Sequence, residues 1–132
     1  MLVDTNVLID VLENDPDWAN WSVGQLRAQS RVHQLIINPI IYAELSLTFS
    51  TVEALDQVLD DMELPVVEMP KPALFLAGKA FAQYQRNQGT KSHVLPDFFI
   101  GAHAAVSGLP VLTRDIRRYK TYFPSIRLVA PD

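Results

Sequence analysis

Four acidic residues each follow a short apolar or proline-marked segment, and this arrangement limits the folds open to the chain. They are Asp4 after Met1-Leu2-Val3, Glu44 after Asn38-Pro39, Asp97 after Leu95-Pro96, and Asp115 after Val111-Leu112-Thr113. A short buried strand that delivers a carboxylate at its C-terminal end and then turns into a helix is typical of open α/β sheets. Four carboxylates at the ends of separate elements indicate one shared site.

Strand and helix patterns alternate along the chain. The predicted strands are residues 1–4, 34–38, 65–69, 109–113 and 127–129, the last at a sheet edge. The predicted helices are residues 6–13, 17–30, 39–49, 52–62, 71–87 and 96–107, with a loop at 88–95. Strands separated by helices favour an α/β fold, in which a mostly parallel central sheet is flanked by helices on both faces. We expect residues 1–132 to form a single domain.

Helix boundaries carry recognisable end signals. Asn38-Pro39 predicts a helix start, with asparagine as N-cap and proline at the first helical position. Ser50-Thr51-Val52-Glu53 has the pattern of a capping box at the start of the next helix. Gly108 is placed to end the helix that begins near Pro96.

Composition excludes several kinds of protein. The 132 residues are 48% hydrophobic and 20% charged, which suits one compact domain. The absence of cysteine excludes disulfides and thiolate metal sites and is compatible with a reducing cytoplasm, where we expect the protein to reside. No apolar run reaches the roughly 18 residues of a membrane span. The N-terminus lacks the basic and apolar regions of a signal peptide.

Charge is distributed unevenly along the chain. Residues 1–85 hold four Lys/Arg and twelve Asp/Glu, a net charge of −8. Residues 86–132 hold seven Lys/Arg and three Asp/Glu, a net charge of +4. This asymmetry fits either ordinary solvated surface or a basic rim beside an acidic site, which is what binding of a polyanion requires.

Converging carboxylates constrain the chemistry of the predicted site. Without a cation they repel, and some of them take up protons. A hard divalent ion such as Mg²⁺ or Mn²⁺ prefers oxygen ligands and removes this repulsion. Such an ion activates water and stabilises charge on a phosphoryl oxygen, so the predicted reaction is hydrolysis of a phosphodiester.

Each acid also has a structural interpretation. Asp4 fits a turn or helix N-cap, and Glu44 fits an exposed helix position. Asp97 fits a first helical turn, where an acid interacts favourably with the helix dipole. Asp115 fits a cap of a short turn or a partner of Arg118. The joint pattern of four acids indicates a functional site more specifically than any one acid does.

These residues resemble the PIN domain family, and most closely the VapC-type toxins of bacterial and archaeal toxin–antitoxin pairs. The resemblance rests on Asp4-Thr5-Asn6 after the first strand, Glu44 on a helix, Asp97 opening Asp-Phe-Phe-Ile-Gly-Ala-His-Ala, and Leu112-Thr113-Arg114-Asp115 after a late strand. It covers essentially the whole chain, whereas residues 50–90 resemble the family only in being rich in helix.

The resemblance implies a metal-dependent endoribonuclease that uses Mg²⁺ or Mn²⁺. Asp4 and Asp97 would bind the metal directly, whereas Glu44 and Asp115 would bind through water or orient the attacking water. Asn6 and Thr113 would be supporting polar groups. Such toxins usually form homodimers, and a cognate antitoxin blocks them by inserting a segment near the acidic site, often with an arginine.

Basic and aromatic residues near Asp115 offer further contacts. Arg114, Arg117 and Arg118 are candidate ligands of RNA phosphates, Arg114 foremost, and solvated surface is the alternative. Tyr119, Tyr122 and Phe123 fit base stacking or, more simply, packing in the core. We expect His103 to be a packed or surface residue. His93 lies in the predicted loop, where it could approach substrate.

Two other functions fit parts of the pattern. A non-catalytic PIN-like module would bind RNA or protein through residues 86–127, although the complete set of four acids argues against it. A phosphatase-like or phosphoacceptor domain would use Asp4 as a nucleophile. Asp4-Thr5-Asn6 lacks the second aspartate expected of such phosphatases, and neither the acidic pair nor the late lysine of a receiver domain is evident.

Overall fold

A parallel β-sheet lies at the centre of the structure, a computed structural model that describes residues 1–87, 89–91 and 94–132. Its strands are β1 (Leu2–Val3), β2 (Val111–Leu112) and β3 (Leu128–Val129), in the order β1-β2-β3. Leu2 is in register with Val111, and Val111 with Leu128. Segments from the two ends of the chain therefore form the sheet, with β3 beyond β2 as predicted.

Two further segments extend the sheet beyond β1. Single parallel bridges join Leu2 to Ile36 and Ile37 to Val66. The predicted strands 34–38 and 65–69 thus take part in the sheet, but as isolated bridges rather than as full strands. The backbone N–H of Ile37 donates to the carbonyl of Pro65 at 3.0 Å, and that of Val67 donates to Ile37 at 2.8 Å.

The helices of the described residues lie between and after these strands. They are α1 (Thr5–Leu12), α2 (Ala19–Ser30), α3 (Pro39–Leu45), α4 (Val52–Asp61), α5 (Lys71–Arg86), α6 (Leu95–Ser107) and α7 (Arg117–Tyr122), with a 3₁₀ turn at Ser46–Thr48. Six lie within two residues of the predicted bounds, apart from the C-terminal end of α3. None of the helices in these ranges is long and apolar enough to cross a membrane.

The end of α3 and the presence of α7 differ from the prediction. The helix predicted to continue to residue 49 ends at Leu45 and tightens into the 3₁₀ turn. There the hydroxyls of Ser46 and Thr48 donate to the carbonyls of Ala43 and Leu45, which gives the backbone an alternative to continued α-helix. The sequence did not predict α7, because its six residues are mostly polar and show no apolar periodicity.

Burial of the strands accounts for the layered architecture. Leu2, Val3, Val111 and Leu112 are completely buried, although neighbouring side chains of a strand point to opposite faces of the sheet. A parallel sheet that is apolar on both faces needs helices on both faces. The α/β class expected from the sequence is therefore confirmed.

Helix caps mostly follow the predicted signals. The Asn38 side chain accepts from the backbone N–H of Ile41 at 3.0 Å, and its amide nitrogen lies 3.2 Å from Nδ1 of His103. The predicted capping box is shifted by one residue, because Thr51 rather than Ser50 is the N-cap of α4 and accepts from the N–H of Ala54 at 3.1 Å.

Gly108 ends α6 in the left-handed conformation, with φ of 65°. We expect Gly108→Ala to lower the free energy of unfolding by about 1 kcal/mol, because a Cβ is disfavoured in this region. Gly24→Ala and Gly78→Ala are the controls, since both glycines are helical and open space surrounds an added Cβ. These controls should raise stability by up to about 1 kcal/mol in urea denaturation. Equal effects at all three positions would contradict the prediction.

Candidate active site

Asp4 lies directly after β1, in the N-cap position of α1, and is only 5% exposed. Its side chain makes no capping hydrogen bond to that helix. Instead, one carboxylate oxygen (Oδ2) accepts hydrogen bonds from the hydroxyls of Thr113 and Tyr119, each at 2.8 Å. The N-cap interpretation of Asp4 thus does not describe its side chain, which contacts the opposite end of the chain.

Burial decides the protonation behaviour of Asp4 and Tyr119. Loss of solvation raises the pKa of Asp4, and the hydrogen bonds from Thr113 and Tyr119 partly offset that rise. Burial, and secondarily the charge of Asp4, raises the pKa of Tyr119 well above its usual value. Tyr119 therefore stays protonated and remains a hydrogen-bond donor at neutral pH.

Glu44 joins this site from α3. The hydroxyl of Thr5, the residue after Asp4, donates to Oε1 of Glu44 at 2.6 Å. Burial raises the pKa of Glu44, the hydrogen bond from Thr5 lowers it, and the negative charge of Asp4 raises it again. Glu44 is therefore only partly buried but faces Asp4, rather than being an ordinary exposed helix residue.

Asp97 reaches the same site from the first turn of α6. Burial and then the negative charges of Asp4 and Glu44 raise its pKa to about 7, while Arg118 opposes this rise. Burial raises the pKa of all three acids, and the charge of Asp4 acts on both Glu44 and Asp97. The fold therefore places Glu44 and Asp97 near Asp4, and their shared role in catalysis stays a prediction.

Asp115 has a different environment from the other three acids. It is exposed, and its two carboxylate oxygens accept from Nε and Nη2 of Arg117 at 3.0 and 2.8 Å. These hydrogen bonds lower the pKa of Asp115. Asp115 thus pairs with Arg117 rather than with Arg118, and it lies at the edge of the acidic cluster, although its charge still acts on Asp4 and Asp97.

The chemistry of these side chains fits a hard divalent cation. Asp4, Glu44 and Asp97 offer only oxygen donors, and burial, with added repulsion from neighbouring acids, raises the pKa of each of them. Across the described residues, however, no three His, Cys, Asp or Glu side chains lie close enough to form a ready-made metal cage. The metal site therefore stays a prediction, supported by the donor set.

Asn6 and Thr113 connect the beginning of α1 to the segment after β2. Asn6 Oδ1 accepts from the backbone N–H of Arg114 at 3.1 Å, and its Nδ2 lies 3.4 Å from the Thr113 hydroxyl. The same hydroxyl accepts from the N–H of Asp115 at 3.1 Å and donates to Asp4. Both residues contact the site as the resemblance implies, and their role in catalysis stays a prediction.

Arg114 has a partner that the sequence did not reveal. Its Nε and Nη2 donate to the two carboxylate oxygens of Asp10 at 2.6 and 2.9 Å, and its guanidinium lies 5.2 Å from the ring centroid of Trp18. The carboxylate of Asp10 is 2% exposed. The structure therefore gives Arg114 a structural partner, and its contact with RNA phosphates stays a prediction.

Arg118 is a basic residue whose charge acts on Asp97. Its guanidinium lies 5.4 Å from the centroid of the Tyr84 ring, and its positive charge lowers the pKa of both Asp97 and Asp115. Its Nε is buried and has no hydrogen-bond partner among residues 1–87, 89–91 and 94–132. Arg117, in contrast, is engaged with Asp115 and 77% exposed.

The aromatic and histidine candidates are mostly structural. Tyr119 and Phe123 are buried, and Tyr122 packs against Phe98 with ring centroids 5.1 Å apart, so packing is confirmed over base stacking. His103 is buried beside Asn38, and burial lowers its pKa. The prediction for His93 lies outside the described residues.

Three polar residues contact the site or its supports without having been predicted to do so. They are Tyr119, Thr5 and Asp10. Tyr119 lies in an aromatic run whose spacing suits a core, and Thr5 and Asp10 lie in the Asp-Thr-Asn-Val-Leu-Ile-Asp run beside the more conspicuous Asp4. Their partners are 39 to 115 residues away in sequence, so no local signal identifies the contacts.

Comparisons with known proteins agree with this fold. The family model of the PIN domain matches residues 1–124. The chain is similar in structure to VapBC2 from Rickettsia felis bound to a DNA fragment, with a TM-score of 0.74, 19% identity, and coverage of 99% of this chain and 98% of the other.

Two other solved structures show the same fold at similarly low identity. DNA-bound VapBC from Salmonella typhimurium matches with a TM-score of 0.71 and 23% identity, over 98% of this chain and 96% of the other. VapBC-1 from nontypeable Haemophilus influenzae matches with a TM-score of 0.72 and 15% identity, over the same shares of the two chains. No curated protein matches the sequence significantly.

The hydroxyl of Tyr119 should help to keep Asp4 ionised. We expect Tyr119→Phe to raise the pKa of Asp4 and to lower the free energy of unfolding at neutral pH by about 1.5–3 kcal/mol, because a buried carboxylate loses a donor. The pKa is measured by ¹³C NMR titration of the aspartate carboxyl groups. Tyr122→Phe is the control, because the hydroxyl of Tyr122 is contacted only weakly, by Asn87 at 3.4 Å. If the pKa of Asp4 were the same in Tyr119→Phe as in the wild type, the Tyr119 hydroxyl would not be what keeps Asp4 ionised.

The raised pKa of Asp97 predicts how stability depends on pH without added metal. The unfolded chain releases the Asp97 proton near pH 4 and the folded protein near pH 7, so wild-type stability falls as pH rises across this window. Asp97→Asn removes this contribution. The free energy of unfolding of the variant, relative to that of the wild type, should therefore be about 1–2 kcal/mol higher at pH 8 than at pH 4. This range allows for solvent screening. A stability difference that is constant across pH would contradict the prediction.

Proposed function

Because the chain belongs to the PIN domain family, we propose that it is a metal-dependent endoribonuclease that hydrolyses RNA phosphodiester bonds. The observation that carries the proposal is the group of Asp4, Glu44 and Asp97, three partly or fully buried carboxylates in which the charges of Asp4 and Glu44 act on Asp97. Such a cluster costs stability unless a cation or a proton neutralises it. A site of this kind is retained for function rather than for folding.

Asp4 and Asp97 are the proposed direct metal ligands, with Glu44 and Asp115 acting through water. A bound Mg²⁺ or Mn²⁺ supplies a Lewis acid for the phosphoryl oxygen and activates water for attack. Thr113 and Tyr119 orient Asp4 through its Oδ2, which leaves Oδ1 for the site. Thr5 likewise holds Oε1 of Glu44 and leaves Oε2 to orient water. Asn6 supports this arrangement through the segment after β2.

Binding of a cation should be coupled to release of a proton from Asp97. Its pKa of about 7 means that a substantial fraction is protonated at neutral pH in the absence of metal. Because a carboxylate must be ionised to bind a hard cation, affinity increases with pH until this group is ionised.

RNA phosphates outside the acidic centre are proposed to contact Arg117 and Arg118 on α7. Residues 86–132 carry a net charge of +4, which offsets the repulsion between an acidic site and a polyanion. Arg118 suits this role best, because its side chain lies beside the acidic cluster and its charge already acts on Asp97. Binding through these residues weakens as salt concentration rises.

The biological role that we propose is that of the toxin in a type II toxin–antitoxin pair. The similar structures are VapBC assemblies, one of them bound to a promoter DNA fragment. Beside Glu44 lies an apolar groove of about 310 Å³, in which Leu47 is 87% exposed; its lining is Ile40, Ala43, Glu44, Leu47, Leu95, Pro96 and Phe99. An antitoxin segment with apolar side chains and one arginine fits its chemistry, and a second copy of the chain is the other proposed partner.

The proposed activity is tested by RNA cleavage with purified, partner-free protein in Mg²⁺, in Mn²⁺ and in EDTA. We expect metal-dependent cutting that Asp4→Asn and Asp97→Asn each reduce by at least about 100-fold, because charge stabilisation by positioned groups dominates such reactions. Asp60→Asn is the matched control, since Asp60 is an exposed acid on α4.

The outcomes separate the proposal from its alternative. Cutting that survives EDTA, or that survives both substitutions, would refute the proposed site. Retained RNA affinity without any divalent-dependent cleavage of tRNA, rRNA or mRNA would favour a non-catalytic PIN-like module.

A further inference from the structure

The partly buried ion pair between Asp10 and Arg114 lies outside the acidic site but is connected to it. Arg114 is the middle residue of Thr113-Arg114-Asp115, between the hydroxyl that binds Asp4 and the carboxylate at the edge of the cluster. Its guanidinium meets both oxygens of Asp10 at 2.6 and 2.9 Å. A two-point contact of this kind restricts both distance and orientation.

Asp10 has few alternatives to this contact. Its carboxylate is 2% exposed, and besides Arg114 it accepts one hydrogen bond, from the hydroxyl of Ser22 at 2.9 Å. A buried carboxylate without a cation is strongly disfavoured, so the pair with Arg114 is maintained whenever the protein is folded. The ring of Trp18, 5.2 Å from the guanidinium, further limits its movement.

Helix α1 therefore holds the segment after β2 at two points. Asn6 accepts from the backbone N–H of Arg114 at 3.1 Å, and Asp10 binds the side chain of the same residue. The same helix begins directly after Asp4, so a rigid element connects Asp4 to the anchor of Thr113. The pairing of β1 with β2 brings Asp4 and Thr113 side by side, since the N–H of Asp4 donates to the carbonyl of Leu112 at 2.9 Å, and the two contacts from α1 restrict the residue that follows Thr113.

We propose that Asp10 is a positioning residue for the metal site. By fixing Arg114, it keeps the Thr113 hydroxyl on Asp4 and keeps Asp115 at the edge of the cluster. This inference rests on the proposed function, because it assumes that Asp4 binds a divalent cation. It assigns Asp10 no contact with metal or RNA.

The test measures Mn²⁺ affinity by calorimetry for the wild type, Asp10→Asn, Thr113→Val and the double variant. We expect Asp10→Asn to weaken Mn²⁺ binding by about tenfold, as loss of outer support for a ligand does. Since Asp10 acts through Thr113, the double variant should bind within about threefold of Thr113→Val alone. If Asp10 instead supported only the general stability of the fold, the decrease in Mn²⁺ affinity of the double variant would be the product of the decreases in the two single variants.

Ser22→Ala is the matched control. It removes the other hydrogen bond to the Asp10 carboxylate while leaving both contacts with Arg114. We expect this variant to lose thermal stability but to keep wild-type Mn²⁺ affinity within about twofold. Circular dichroism at the temperature of the titration verifies that each variant is folded.

Arg114→Lys replaces Asp10→Asn if the latter does not fold. Lysine keeps a positive charge beside Asp10 but cannot make the two-point contact, so the same coupled loss of affinity is expected. Unchanged Mn²⁺ affinity in a folded Asp10→Asn or Arg114→Lys variant would overturn the inference, as would losses that multiply. Absence of Mn²⁺ binding by the wild type would instead refute the proposed function.

Discussion

The buried carboxylate of Asp4 and its two hydroxyl donors are the interaction on which the rest of the site depends. Thr113 and Tyr119 lie 109 and 115 residues further along the chain, yet both contact the same oxygen of Asp4 at 2.8 Å. A carboxylate that is 5% exposed requires such donors, because water is excluded. The pairing of β1 with β2 places Thr113 beside Asp4, so this contact depends on the sheet.

Opposed electrostatic environments divide the four acids. Burial, with a smaller contribution from the charges of neighbouring acids, raises the pKa of Asp4, Glu44 and Asp97, whereas the hydrogen bonds from Arg117 lower that of Asp115. The fold therefore places three carboxylates where they destabilise the metal-free protein, and a fourth where it is already neutralised. This asymmetry makes protonation of Asp97 the competitor of cation binding.

The predicted fold was largely correct because its signals are local. Apolar segments, an asparagine–proline helix start and Gly108 identified the strands and most helices within two residues. The signals failed where short polar segments or tertiary contacts determine the bounds of an element. Helix α7 has no apolar periodicity, and α3 ends early at hydrogen bonds between hydroxyls and carbonyls. Residues 34–38 and 65–69 pair with the sheet only through single bridges. For the site, the acids Asp4, Glu44 and Asp97 were identifiable, but the partner of Arg114 was not.

The sequence by itself determined the alternation of strands and helices and the identity of the converging acids, because apolar periodicity and residues at element ends act over a few positions. Only the tertiary structure decided which groups surround those acids. It placed Tyr119 and Thr113 on Asp4, Thr5 on Glu44, and Asp10 on Arg114. These contacts join residues 39 to 115 positions apart, and burial alone makes each of them necessary, since a charged or polar group withdrawn from water must find a partner within the fold.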